Sequence, residues 1–166
     1  MNAGTEAETT GRKQTVPETP IATTVTRISA PIEDVWRVLV AFDHYAQWHP
    51  VLSLDAKPEE VEEVIVGTKL PGRVTRAGAE ENEVVLTIIE LESPRRLAGE
   101  GGSLDALLGR HSFVLAPQPD GTTELTESEE FSGPAAAELI PALGRLTQDY
   151  ARYSAALKTQ AEALLG

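Results

Sequence analysis

The chain contains no cysteine, which excludes a disulfide framework, a thiolate zinc site and a thiol nucleophile and fits a reducing compartment. A cytoplasmic location is expected. Basic residues are scarce, with 14 Lys and Arg against 26 Asp and Glu and a formal charge of −12. Such a chain repels phosphate backbones and anionic headgroups, so no nucleic acid partner is expected. Met1–Pro20 lacks a secretory apolar stretch, and no apolar run approaches the ~18 residues of a membrane helix, so no membrane insertion is expected. His44, His49 and His111 are not set in an HExxH spacing or beside a carboxylate triad, and Gly99, Gly101 and Gly102 are not followed by the Lys-Ser/Thr of a phosphate loop. Neither a metal nor any other cofactor is expected. The groups Glu59-Glu60-Glu62-Glu63 and Glu80-Glu81-Glu83 lack the EF-hand pattern and read as a solvated face.

What is present is a globular balance, 41% hydrophobic and 24% charged, over 166 residues. That length suits one domain and is short for two. Residues 1–20, rich in Thr, Glu and Gly with Pro17 and Pro20, offer little to bury and are expected to form a mobile tail. Residues 21–166 then form a single folded unit.

Within it, the β-branched run Ile21–Ile28 predicts a strand that stops at Ser29-Ala30-Pro31. Pro31, Glu33 and Asp34 suit a helix start, and Val35, Trp36, Leu39 and Val40 form its apolar stripe. A second short helical piece, Phe42–Trp48, is stopped by Pro50. Strands are expected over most of Val51–Asp55, Val61–Val66, Lys69–Arg76, Glu83–Leu91, Arg95–Gly99, Arg110–Leu115 and Thr122–Phe131. Pro58 with the glutamates behind it equally permits a helical turn. From Pro134 onward, Leu139, Leu143, Leu146, Tyr150, Tyr153, Leu157, Ala161 and Leu164 follow helical spacing. Pro141 belongs at or near the first turn, with Pro134–Ile140 as a separate entry turn. One strand, two short helices, a run of antiparallel strands and a terminal amphipathic helix pack most simply as an α+β domain in which a curved antiparallel sheet grips the long helix. A hollow between them suits a small molecule.

Several pieces, in this order, carry a family resemblance: Ile28-Ser-Ala-Pro-Ile-Glu-Asp-Val-Trp36, Tyr45-Ala-Gln-Trp-His-Pro50, Gly67-Thr-Lys-Leu70, Glu92-Ser-Pro-Arg-Arg-Leu97, Gly109-Arg-His-Ser-Phe113, Asp120-Gly-Thr122, Glu129-Glu-Phe-Ser-Gly133 and Ala156-Leu-Lys158. Over about Ile21–Leu164 the chain resembles the SRPBCC (START-like) superfamily in its polyketide cyclase/dehydrase-like branch. The resemblance implies a helix-grip fold with an internal apolar cavity for polyketides, polycyclic compounds, lipids or other hydrophobic small molecules. It does not by itself imply catalysis.

The last hairpin fixes where polar chemistry meets this cavity. Gln118-Pro119-Asp120-Gly121-Thr122 suits a three-residue turn with Gly121 left-handed. Counting back, Leu115 faces Leu125, Phe113 faces Glu127 and His111 faces Glu129, all on one face. Because Phe113, Leu115, Leu125 and Phe131 make that face apolar, His111 and Glu129 meet inside. A desolvated carboxylate without a partner costs several kcal/mol, against roughly 1.5–3 kcal/mol gained by burying one Phe or Leu, so Glu129 needs an imidazolium, a wet cavity or a raised pKa. His111 and Glu129 are therefore the candidate catalytic pair, acting in cyclisation or dehydration; the same pair also suits binding a ligand's hydroxyl or carbonyl, or holding the hairpin. Candidate ligand-binding residues are Trp48, His49, Phe113, Leu115, Leu125, Glu127, Phe131, Leu146, Tyr150 and Tyr153, although Trp48 equally reads as a core plug and the tyrosines as core. In the enzymatic reading Arg96 or a Tyr hydroxyl steadies an enolate. Ser103–Leu108 reads as a gate or as an ordinary loop. The alternatives to catalysis are a ligand carrier or sensor and a regulatory protein-interaction module, in a monomer or homodimer.

Overall fold

Alternation of side chains builds the sheet. The structure is a computed structural model and describes residues 19–164. Residues 1–18, most of the expected tail, lie outside the described residues. Pro20 is fixed, its side chain buried and its carbonyl accepting the Phe131 N–H at 2.9 Å.

Strand β1 (Ile21–Ile28) turns Ala22, Thr24 and Ile28 inward, with half-buried Thr26 on the same face and Thr23, Val25 and Arg27 facing out. After Pro31, which has no N–H to leave unpaired, helix α1 (Ile32–Leu39) carries Glu33 and Asp34 in its first turn and buries Ile32, Val35, Trp36, Val38 and Leu39. Val40, expected in the stripe, is its C-cap. The expected second helical piece is a 3-10 turn, Phe42–His44, continued by α2 (Tyr45–Trp48). His49, ahead of Pro50, is extended and ends it.

Six strands follow: β2 (Leu52–Leu54), β3 (Lys69–Val74), β4 (Asn82–Glu92), β5 (Arg96–Gly102), β6 (Leu108–Pro117) and β7 (Thr123–Ser132). With β1 they make one antiparallel sheet in the order β1-β7-β6-β5-β4-β3-β2. Of the two readings open for Val61–Val66, strand or helical turn, the helical turn is the one formed. The segment starts at the end of α3 (Pro58–Val61), which has proline in its first turn and a Glu60 carboxylate accepting the Lys57 N–H at 3.1 Å. Val61 and Val64, three apart, pack on the core while Ile65 and Val66 stay exposed, so the valines follow a helical turn instead of a strand's alternation.

Ala136–Ala142 forms a 3-10 turn containing Pro141, and α4 (Leu143–Ala163) begins just after it, so no α-helical hydrogen bond is lost to the proline. Helix α4 lies along β1 and β7, burying Tyr150, Tyr153, Ser154, Leu157 and Ala161. Leu139 precedes the helix, and Leu164 at its C-cap is exposed. The main core fills the space between sheet, α1 and the later half of α4 with Ile28, Val35, Leu39, Phe42, Leu115, Leu125 and Leu157. This is the α+β helix-grip arrangement, a curled sheet around a long terminal helix. Among the described residues no helix is long and apolar enough to cross a membrane.

Candidate functional site

The β6–β7 hairpin has the register that its turn chemistry predicts. Gly121 sits at φ +84°, where a side chain would be strained, and the Gln118 N–H donates to the Thr122 carbonyl at 2.8 Å. Thr122 donates through both its hydroxyl and its backbone N–H to Asp120, and these bonds, with Arg27 alongside, hold that carboxyl down at about 2. From this turn Leu115 pairs with Leu125, Phe113 with Glu127 and His111 with Glu129.

The side chains are arranged less simply than the register. His111 Nε2–H donates diagonally to Glu127 Oε1 at 2.8 Å, and His111 Nδ1 lies 3.5 Å from Glu129 Oε2. Glu127 is 1% exposed, and its other oxygen accepts from the Ser154 hydroxyl of α4, with Thr24 Oγ1 3.3 Å behind that serine. Glu129 Oε2 also accepts from the Tyr150 hydroxyl. A cluster of two carboxylates, one imidazole and two α4 hydroxyls therefore joins the helix to the hairpin. Burial opposes charge on His111, yet the hydrogen bond to Glu127 and the fields of Glu127 and Glu129 outweigh it and raise its pKa. Burial, then the Glu129 charge, pushes the Tyr150 phenol up, so it stays a donor.

His111, Glu129 and Tyr150 of this cluster wall one side of a cavity of about 180 Å³. Its lining is mostly apolar, including Leu86, Ile88, Leu97 and Phe113. Gly99, Gly101 and Gly109 also line it, on neighbouring strands where larger side chains would fill the space. A Cβ at Gly109 would run into the Glu129 carboxylate, and one at Gly99 into Leu86. His49 forms part of the wall. Its Nδ1 accepts the N–H groups of Val51 and Leu52 at 3.2 and 3.0 Å, which leaves the ring hydrogen on Nε2. Burial, then the like charge of His111, pushes His49 down to about 3.

Of the candidate residues, His49, His111, Phe113, Glu129, Tyr150 and Tyr153 line the cavity. Trp48, Leu115, Leu125, Glu127, Phe131 and Leu146 do not. Leu115 and Leu125 continue into the solid core, because α1 and Leu157 cover that part of the inward face. Trp48 packs behind Tyr45, at a ring-centroid distance of 4.9 Å, with its Nε1 buried and, among the described residues, without a hydrogen-bond partner. Glu127 stands behind His111, Phe131 is buried beyond Gly109, and Leu146 packs under the tyrosines of its own helix. Arg96 is turned outward toward Glu90 at 3.8 Å, since it alternates with inward Leu97, and so cannot steady a ligand in the cavity. Ser103–Leu108 contributes nothing to the lining; its turn is closed by the Ser103 N–H to the Leu107 carbonyl at 3.0 Å, with Leu104 exposed.

Tyr45, Arg76 and the three glycines were not candidates. The glycines carried a readable signal, small residues recurring within strands, whereas Arg76 follows β3 and nothing local marks it. Among the described residues no group of three or more His, Asp or Glu is placed to hold a metal.

Comparison with solved structures finds protein jhp0584 of Helicobacter pylori, 16% identical with TM-score 0.70 over 97% of both chains. Norcoclaurine synthase of Thalictrum flavum, a point mutant in complex with a transition-state analogue, is 15% identical with TM-score 0.66, covering 92% of this chain and 100% of that one. The di-domain ARO/CYC StfQ from the steffimycin biosynthetic pathway is 13% identical with TM-score 0.66, covering 87% of this chain and 50% of its own. At such identities these likenesses establish the fold alone. Comparison with curated protein sequences finds no match. The family model described as polyketide cyclase / dehydrase and lipid transport matches residues 19–162, from the last residues before β1 to the last turn of α4, and the chain belongs to that family, of the SRPBCC type.

Proposed function

We propose that this protein binds a small ring-bearing hydrophobic molecule, whose hydroxyl or amine hydrogen is donated to Glu129. The observation that carries this reading is a carboxylate, held by Tyr150 and approached by His111, set into the wall of an otherwise largely apolar hollow above three strand glycines. Placing a carboxylate there costs stability, and a packed core would avoid that cost with apolar side chains. Cavities of about 150 Å³ accept benzene, so about 180 Å³ with an open mouth suits one or two fused rings. The family description supports polyketide-like, polycyclic or lipid-like ligands, and the volume favours the small end of that range.

One observation favours a second reading, in which the same pocket is catalytic. His111 is held toward its charged form between two carboxylates, and Glu129 reaches the cavity. In that reading Glu129 takes a proton from the ligand, and the His111 imidazolium offsets charge or supplies a proton, as an aldol-type cyclisation or dehydration requires.

Isothermal titration with 2-naphthol tests the binding reading. A Gly101→Val variant is the discriminating control, because a Cβ there meets nothing closer than the Val85 carbonyl at 3.7 Å, so the valine grows into the cavity without a backbone clash. Binding by the natural sequence and at least about tenfold weaker binding by Gly101→Val are expected. Naphthol binding that is absent, or indifferent to Gly101→Val, overturns the reading. For the catalytic reading, Glu129→Gln and His111→Ala are expected to retain ligand while losing turnover.

A further inference from the structure

The mouth of the cavity differs from the rest of the surface in charge. A second cleft, of about 300 Å³, adjoins the cavity and shares Val51, Arg76 and Tyr153 with it. Arg145, Asp149 and Arg152 of α4 complete its charged lining with Arg76, and Thr75 adds a hydroxyl. Three guanidinium groups thus surround one carboxylate, in a chain whose formal charge is −12.

Elsewhere among the described residues every arginine except Arg95 is paired. Arg27, Arg37, Arg73, Arg96 and Arg110 each lie within 4.0 Å of an Asp or Glu. At the mouth, Asp149 is engaged by Arg152. Among the described residues neither Arg76 nor Arg145 has a carboxylate within that distance, and both are exposed. Arg76 lies against the Tyr153 hydroxyl, which ties it to the boundary between cleft and cavity. Two unpaired guanidinium groups converging on one opening repel each other, and an anion between them removes that repulsion while accepting paired N–H bonds.

We infer that the cleft is an anion-binding vestibule and that the ligand is an amphipathic acid, its rings in the cavity and a carboxylate or phosphate at Arg76 and Arg145. This rests on the binding reading above and adds the ligand's charge class and orientation. The acidic surface repels anions generally, so the local positive field at the mouth is what admits and aligns this one. The anchored end faces solvent and the ring end faces Glu129.

The test compares 2-naphthol, 6-hydroxy-2-naphthoate and 6-hydroxy-2-naphthyl phosphate by titration calorimetry at low ionic strength, on the full chain and on Arg145→Gln and Arg76→Gln. The readout is each anion's affinity divided by that of naphthol. At least one anion is expected to bind about tenfold tighter than naphthol, its identity naming carboxylate or phosphate, and either substitution is expected to reduce that ratio severalfold. If naphthol binds and neither anion binds more tightly, the vestibule is refuted while the cavity reading stands. An anion advantage that survives both substitutions also refutes it, and absence of binding by all three compounds refutes both.

Discussion

Two histidines line the same hollow, and their surroundings drive their protons in opposite directions. His49 is buried, faces the like charge of His111 and accepts two backbone N–H groups at Nδ1, so a second ring proton would point at donors. With its folded value near 3 against an ordinary 6.5, the unfolded chain takes up the proton first as pH falls. The stability attached to His49 is therefore full above about pH 6.5 and is lost toward pH 3, by up to about 5 kcal/mol as an upper bound. His111 has the opposite sign: its raised value means stability present at low pH and lost as pH climbs through that value. Replacing His49 with Asn keeps an oxygen able to accept the Val51 and Leu52 N–H groups but removes the titration. Urea midpoints of His49→Asn between pH 6.5 and 4 are expected to fall less steeply than those of the natural sequence. Equal slopes would show that His49 takes up its proton without penalty.

At the scale of elements, one serine ties helix to hairpin. Ser154 is fully buried on α4, donates to Glu127 of β7 and lies 3.3 Å from the Thr24 hydroxyl of β1. Ser154→Ala removes a donor from a buried carboxylate and is expected to cost about 1–3 kcal/mol, read as a lower urea midpoint at unchanged m. A loss under about 0.5 kcal/mol would mean that His111 alone satisfies Glu127. The sequence made the hairpin legible because Pro119, Asp120 and Gly121 specify the turn and a two-residue period then carries the register to His111 and Glu129. It made α4 legible through its apolar spacing, but not Ser154, since a serine in such a stripe carries no sign of burial. Register gives opposite Cα positions only. That His111 leans to Glu127 instead of sharing Glu129 alone follows from Tyr150 already engaging Glu129, a contact between segments distant in sequence. Val61–Val66 left two readings open because β-branched composition favours a strand while Pro58 and the glutamates behind it favour a helical turn, and the Glu60 cap decides for the turn. The hollow itself was legible as a consequence of bending a sheet around a helix, but its position over the strand glycines depended on which part of the inward face α1 and α4 cover.

Over the whole molecule, two electrostatic effects compete, and salt separates them. The formal charge of −12 makes compaction repulsive, with Glu59, Glu60, Glu62, Glu63, Glu80, Glu81 and Glu83 all exposed. Against this stand surface pairs such as Arg27–Asp120, Arg73–Asp55 and Arg96–Glu90, all of them exposed or nearly so. Each exposed pair contributes about 0–1 kcal/mol and is itself screened. The long-range repulsion among unpaired carboxylates is the larger sum, since it acts over a Debye length that shrinks from about 30 Å at 0.01 M to about 8 Å at 0.15 M salt. Sodium chloride, which lacks the strong burial-promoting effect of sulfate, is therefore expected to raise the melting temperature of the free protein as it increases from low millimolar to about 0.15 M. The vestibule responds the other way: screening weakens the pull of Arg76 and Arg145 on an anion, so the affinity for 6-hydroxy-2-naphthoate or 6-hydroxy-2-naphthyl phosphate falls over the same range while that for 2-naphthol holds. Scanning calorimetry and titration on one salt series read both. A melting temperature that falls with salt would place the ion pairs above the repulsion, and an anion affinity indifferent to salt would mean that the acid group is held by something other than exposed guanidinium charge.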